Sequence, residues 1–330
     1  MHIVVEELVK TFRVAERAPG TLGALRGLVR RKERVHRALD GVSFTVSAGE
    51  LVGYIGPNGA GKSTTIKILA GILVPDGGRV EIDGRVPWRQ RVAHVARIGV
   101  VFGQRTQLWW DLPLIESLEM LRHIYRVPAP QFRVAFDELS ALLELGPFLD
   151  TPVRQLSLGQ RMRGDLAASL LHAPSILFLD EPTIGLDAVS KLAVRAFVKR
   201  QSRERGVTVL LTTHDLDDVE ALCDRVIIIG DGAILSDGTL EELRRRVTPE
   251  RWLTLELLGG APDDVADPQA RVIRREGDRV CLAFDPEEVS PAELIARLTR
   301  RHAVRDLLVE HPPIEAVIAR MYGDAAGRGR

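Results

Sequence analysis

The sequence predicts an α/β protein: a doubly wound, mainly parallel sheet with a helical subdomain inserted in it, then a small α+β domain. Three observations predict this. Between Leu51 and about Gly238, compact apolar runs at 51–55, 98–102, 176–179, 207–211 and 226–229 alternate with helical stretches. Runs that are apolar at every position mark strands covered on both faces by crossover helices. Within that region, 114–125 and 131–145 read as helices with no strand between them, which marks a helical insertion. After Gly238 the order becomes strands, helix, strand and helix over about 80 residues, an α+β pattern.

The elements follow in order. A strand over 2–5 continues by alternation through 6–12. Segment 13–37 carries Pro19-Gly20 and eight basic against two acidic residues, a local charge of +6. It reads as a basic surface insertion, either simply solvated or facing anionic headgroups or an acidic partner. A strand at 42–46 resumes the domain, and the helical subdomain spans about 105–165. The first domain is placed at 1–240 and the accessory domain at 241–330. In the latter, a helix over 240–246 ends in Arg244-Arg245-Arg246, where cations suit the helix dipole. Strands at 252–258, 271–275 and 280–284 precede a helix over 291–301, opened by Ser290 as cap and Pro291 at the first position. A strand at 304–309 and a helix at 314–322 close the domain.

Composition narrows the function. Of 330 residues, 45 are Lys or Arg and 45 are Asp or Glu, so the formal net charge is zero and the electrostatic case for nucleic acid is lost. Two cysteines, Cys223 and Cys281, are too few for a disulfide scaffold and fit a reducing compartment. No apolar run approaches the roughly 18–20 residues of a membrane-spanning helix. The first residues, MHIVVEELVK, carry acids where a signal peptide would be basic and then apolar. The expectation is a soluble, cytoplasmic chain.

The chemistry begins at Gly56-Pro57-Asn58-Gly59-Ala60-Gly61-Lys62-Ser63, followed by Thr64. A glycine-rich loop between strand and helix curls so that successive N–H groups point at phosphate oxygens, while the helix turns its positive end to the same anion. Lys62 is expected to reach the β- and γ-phosphates and Ser63 to hold Mg²⁺. The run 176–179 ends in Asp180-Glu181, two carboxylates at the carboxyl end of a buried strand, where α/β sheets bind ligands. Asp180 is suited to orient Mg²⁺, directly or through water. Glu181 is suited to act on the attacking water as general base.

With these motifs in place, residues 1–240 resemble the nucleotide-binding subunit of ATP-binding-cassette (ABC) transporters, a P-loop NTPase core. Leu156-Ser157-Leu158-Gly159-Gln160 is similar to the family's signature motif, Leu-Ser-Gly-Gly-Gln, with Leu158 in place of the first glycine. Read by itself, Ser157 with Gln160 is a capping box. The resemblance implies that the capped helix aims Ser157, Gly159 and Gln160 at the γ-phosphate held by the opposite subunit. It also identifies Gln104, 42 residues after Lys62, with the glutamine that touches Mg²⁺ and the attacking water. An extra Gly103 precedes it. Gly185-Leu186-Asp187 resembles the D-loop, and His214 the switch histidine on the γ-phosphate. Phe12 resembles the aromatic residue that stacks on adenine. Trp109-Trp110 stand either in the core or where the family docks its transmembrane partner.

The resemblance implies an ATPase, with ATP and Mg²⁺ bound, that works as a homodimer or as a heterodimer with a similar subunit. Separate transmembrane permease subunits would hold it at the cytoplasmic face of the cell membrane. The combination of 103–113 with 156–161 is similar to a bacterial subgroup of multidrug-type exporters, so export is the expected direction. Importers use the same motor, and soluble ABC ATPases acting on ribosomes or DNA form the competing class. No nucleic-acid partner is expected.

Overall fold

The structure is a computed structural model that describes residues 2–15, 33–103, 105–247, 250–259, 262–312, 318 and 321. The chain divides into two compact units, Met1–Asp237 and Gly238–Arg330. The first runs β1 (Ile3–Ala15), β2 (Glu33–Val46), β3 (Leu51–Ile55), α1 (Lys62–Leu69), β4 (Gly77–Ile82), α2 (Arg91–Val95) and β5 (Ile98–Phe102). Then follow α3 (Leu114–Ile124), α4 (Ala129–Leu142), α5 (Leu158–Leu170) and β6 (Ile176–Asp180). It ends with α6 (Ala188–Arg205), β7 (Thr208–Thr213), α7 (Leu216–Leu222), β8 (Arg225–Gly230) and β9 (Ala233–Thr239).

The main sheet has the order β5-β6-β7-β3-β8-β9, and every pairing from β5 through β8 is parallel. All five residues of β6 and all six of β7 are buried, as their unbroken apolar and Thr content requires. The polar ends of these inner strands, Asp180 and Thr212-Thr213, all lie at the carboxyl edge of the sheet. Three helices, α3 to α5, fall between β5 and β6 with no named strand among them, as expected.

A second, antiparallel sheet of order β2-β1-β4 was not expected. The segment read as an insertion at 13–37 begins and ends as strand: Phe12 pairs with His36, Arg13 with Val35 and Ala15 with Glu33. Ladder hydrogen bonds hold these charged residues extended where no apolar period marks them. The remainder of that segment, 16–32, lies outside the described residues. β4 also escapes the sequence pattern, since two glycines and an arginine open it and pairing with β1 makes it a strand. One hydrophobic cluster joins the two sheets, with Ile3, Leu39 and Phe44 packed with Tyr54, Ile66, Leu69, Phe178 and Leu210.

The second unit contains α8 (Leu240–Val247), β10 (Arg251–Leu257), β11 (Ala270–Glu276), β12 (Arg279–Phe284), α9 (Pro291–Arg301) and β13 (Val304–Glu310). Its sheet, β11-β12-β10-β13, is antiparallel throughout. Leu253, Leu255, Val280, Leu282 and Phe284 form a core with Leu294 and Leu298 of α9. Apart from Ile318 and Met321, the helix expected over 314–322 lies outside the described residues. Among the described residues no helix is long and apolar enough to cross a membrane.

Candidate active site

β3 delivers the chain to the loop at Ile55, and α1 begins at Lys62. Gly61, the residue before the helix, has φ 109° and no side chain to cap it. A Cβ there would stand 2.6 Å from the Ala38 carbonyl oxygen, so only glycine serves. With no side-chain cap, the first N–H groups of α1 stay open to an anion. Lys62 is 6% exposed, and its Nζ donates to the carbonyls of Gly56 at 2.7 Å and Pro57 at 3.3 Å. Burial holds its pKa below the ordinary lysine value, opposed by the charges of Glu181 and Asp180.

The end of β6 meets the loop directly. Asp180 Oδ1 accepts from Thr212 Oγ1 at 2.6 Å and from Ser63 Oγ at 3.1 Å. Glu181 is left-handed, φ 57°, a conformation that a non-glycine residue holds only where its surroundings enforce it. Those surroundings are visible. Its N–H donates to the Thr212 carbonyl at 3.0 Å, and its Oε2 lies 2.6 Å from His214 Nδ1. Its Oε1 is 3.8 Å from Lys62 Nζ. The carboxylate therefore sits between the loop lysine and the histidine. Gly103 closes the arrangement from β5: its N–H donates to the Asp180 carbonyl at 2.7 Å, and a Cβ on it would stand 2.0 Å from the Glu181 carbonyl oxygen.

These groups surround a cavity of about 640 Å³. Phe12, Asn58, Gly59, Gly61, Lys62, Ser63, Thr64, Asp180, Glu181 and His214 all line it. Gly56, Pro57 and Ala60 belong to the loop but not to the lining. Gln104 lies outside the described residues. His36, Lys67 and Arg105 line the cavity as well and were not picked out from sequence, and so does Ile184, the residue before the D-loop resemblance at 185–187. The signal for His36 was available only by reading 33–37 as the strand opposite Phe12. For Thr212, its place two residues before His214 was the clue.

The remaining predicted residues form a second cluster. Ser157 and Gln160 make both halves of the capping box: Gln160 N–H to Ser157 Oγ at 3.2 Å, and Ser157 N–H to Gln160 Oε1 at 2.9 Å. Asp187 caps α6 by accepting from the Ser190 N–H at 2.9 Å and Oγ at 2.8 Å. Gly159 packs so closely that a Cβ would stand 2.6 Å from Ser190 Oγ, and Leu158 lies against Gly185. None of Ser157, Gly159, Gln160 and Asp187 lines the loop cavity. Behind this cluster, buried Asp218 accepts from Thr183 Oγ1 and, at 2.5 Å, from Arg195 Nε, while Asp215 pairs with Lys191. That network ties the start of α6 to the turn that carries His214. Trp110 is half exposed, with the Arg161 guanidinium 5.5 Å from its ring centre.

A buried lysine, open helix N–H groups, two hydroxyl–carboxylate contacts and a carboxylate–imidazole pair can bind a polyphosphate and take a proton from water. Known proteins agree with that chemistry. The ABC transporter family model matches residues 39–184. The chain is 39% identical to the daunorubicin resistance ATP-binding protein DrrA3 of Streptomyces coeruleorubidus over 215 residues, 65% of this chain and 67% of that protein. It is 33% identical to the Nod factor export ATP-binding protein I of Ralstonia nicotianae over 306 residues, 89% of this chain and 92% of that one. A dimeric ATP-binding cassette solved in a post-hydrolysis state with ADP and Pi matches with TM-score 0.61 and 27% identity, over 72% of this chain and 98% of that one. The chain belongs to the ABC transporter family, as one of its ATP-binding, ATP-hydrolysing subunits.

Proposed function

We propose that this ATPase powers export through separate transmembrane permease subunits, from the cytoplasmic face of the cell membrane. The observation that carries the reading is full-length similarity to ATP-binding proteins named for export: the match to the Nod factor exporter subunit covers 92% of that protein, accessory region included. A match confined to the catalytic core would speak only for ATP hydrolysis.

In this reading Phe12 stacks on adenine, and the loop from Gly56 to Thr64 cradles the phosphates with Lys62 on the β- and γ-groups. The donor set fits Mg²⁺, since Ser63 Oγ and Asp180 Oδ1 are hard oxygen donors 3.1 Å apart. Ser63 and Asp180 would hold the ion, with Gln104 as a further ligand; when bound, it neutralises phosphate charge. Glu181 takes the proton of the attacking water, and His214 holds that carboxylate while facing the γ-phosphate. Ser157, Gly159, Gln160 and Asp187 act across a dimer, on nucleotide held by a second copy or a similar ATPase. Their position outside their own loop's cavity supports that assignment. ATP-driven closure then moves the permease, and hydrolysis resets it.

The test is to tag the chain, solubilise native membranes gently and identify what co-purifies. A stoichiometric multi-span membrane protein is expected. Ribosomal or DNA-associated proteins recovered from a purely soluble fraction would overturn the transport reading and leave the ATPase chemistry standing.

A further inference from the structure

Asp165 is a carboxylate at a core position of α5. It is 5% exposed and lies between buried Gly164 and Leu166; the Arg161 charge acts on it, but among the described residues no cation approaches it as a salt-bridge partner. A carboxylate in that setting is unfavourable unless something is built around it. What surrounds it is the strap that leaves β5. Its Oδ1 accepts from Thr106 Oγ1 at 3.0 Å and from the Gln107 N–H at 3.0 Å. The Gln107 side-chain amide returns to the Asp165 carbonyl at 3.1 Å. Thr106 Oγ1 in turn accepts from the Leu108 N–H at 3.1 Å.

The other end of the same strap is Gly103, whose N–H is bonded to the Asp180 carbonyl at 2.7 Å and whose α-carbon leaves no room for a side chain beside Glu181. The Arg105 N–H donates to the Phe102 carbonyl at 2.8 Å, which holds Arg105 beside the end of β5. Only residues 104 and 105 separate Gly103 from Thr106. Anchors on the buried face of α5 and on the backbone beside Glu181 are therefore only three residues apart along the chain.

We propose that Asp165 is a positioning residue for hydrolysis: it clamps 106–107 to α5, and through Gly103 fixes the left-handed Glu181 against the loop. The proposal rests on Glu181 being the base of the site. Apolar packing alone does not need Asp165, because a leucine of similar size would fill the same space. The specific requirement is for an oxygen that accepts two hydrogen bonds from the strap, which Asn supplies and Leu does not.

The experiment measures steady-state ATP hydrolysis by the full chain as parent, Asp165→Asn, Asp165→Leu, Thr106→Val and Glu181→Gln, with thermal midpoints and the affinity for a fluorescent ATP analogue. Asp165→Asn is expected to keep kcat within about twofold of the parent. Asp165→Leu should remain folded and bind nucleotide within about threefold, while its kcat falls about tenfold or more. Thr106→Val, which removes the hydroxyl that donates to Asp165 and accepts from the Leu108 N–H but leaves the sequence of α5 intact, should lose kcat in the same direction and leave KM unchanged. Should Asp165→Leu not fold, Thr106→Val with Asp165→Asn decides the matter. Parental kcat in Asp165→Leu, or in Thr106→Val where the former is unfolded, overturns the proposal. So does an equal loss of binding and turnover, which is what a merely structural residue would give. Glu181→Gln separates the two ideas: if it hydrolyses ATP at the parental rate, the base assignment fails, whatever Asp165 does.

Discussion

Burial pushes the Asp165 carboxyl up to about 7 from an ordinary value of 3.8, against the pull of the Gln107 N–H, the Thr106 hydroxyl and the Arg161 charge. The consequence for stability has a definite sign. Between about pH 4 and pH 7 the folded chain holds a proton on Asp165 that the unfolded chain has released. The contribution of this carboxyl to stability therefore falls as pH rises through that window and is level above it. Asn carries no such proton. The thermal midpoint of Asp165→Asn relative to the parent should accordingly improve between pH 5 and pH 8, all other titrations being common to both chains. A difference that stays constant over that range would mean that the carboxyl is not desolvated as the geometry shows. Neither this residue nor Gly103 declared its role in the sequence. Asp165 is one polar letter within a helix, and Gly103 looked like an extra residue before Gln104. By contrast Lys62, Ser63, Asp180, Glu181 and His214 were legible, because strand, loop and helix context surrounded each of them.

Elements were readable where burial on both faces wrote them into the sequence. β6 is Ile-Leu-Phe-Leu-Asp and wholly buried, so its end at Asp180 followed from the apolar run alone. The pairing of β1 with β2, and their extension through 13–15 and 33–41, was not readable, for two physical reasons. Register shifts at Val5/Leu8, Leu8/Val9 and Lys10/Thr11 hide the pairing of two strands that were read only over 2–12 and 42–46, and the outer part of β2 is exposed, with Val35 64% accessible. Helix starts were more legible, because caps are local chemistry. Ser290 before α9 is a case: its Oγ accepts from the Glu293 N–H at 3.2 Å, and Pro291 occupies the first turn. Ser290→Ala should cost about 1 kcal/mol and Ser290→Gly only a few tenths. Amide exchange of α9 should then speed up about fivefold in Ser290→Ala. The amides of β6, in the other unit, serve as the control and should not change.

At the scale of the whole molecule, each unit has its own hydrophobic cluster, one built around Tyr54 and Phe178, the other around Leu255, Leu282 and Phe284. Among the described residues, all those lining the loop cavity belong to the first unit. Ligand binding stabilises only the cooperative unit that binds, by about 2.7 kcal/mol at a ligand concentration 100 times Kd. Calorimetry of the full chain should therefore resolve two transitions, and saturating Mg·ADP should raise one while leaving the other in place. ADP is the ligand of choice because it fills the loop without turnover and without a γ-phosphate to draw a second copy across. The transition that moves should be lost from its shifted position in Lys62→Ala, which keeps both cores and removes the buried cation from the phosphate loop. Were both transitions to move together with Mg·ADP, the two cores would be thermodynamically one. The accessory unit would then have to be counted as part of the nucleotide-binding machinery, although none of its described residues lines the cavity.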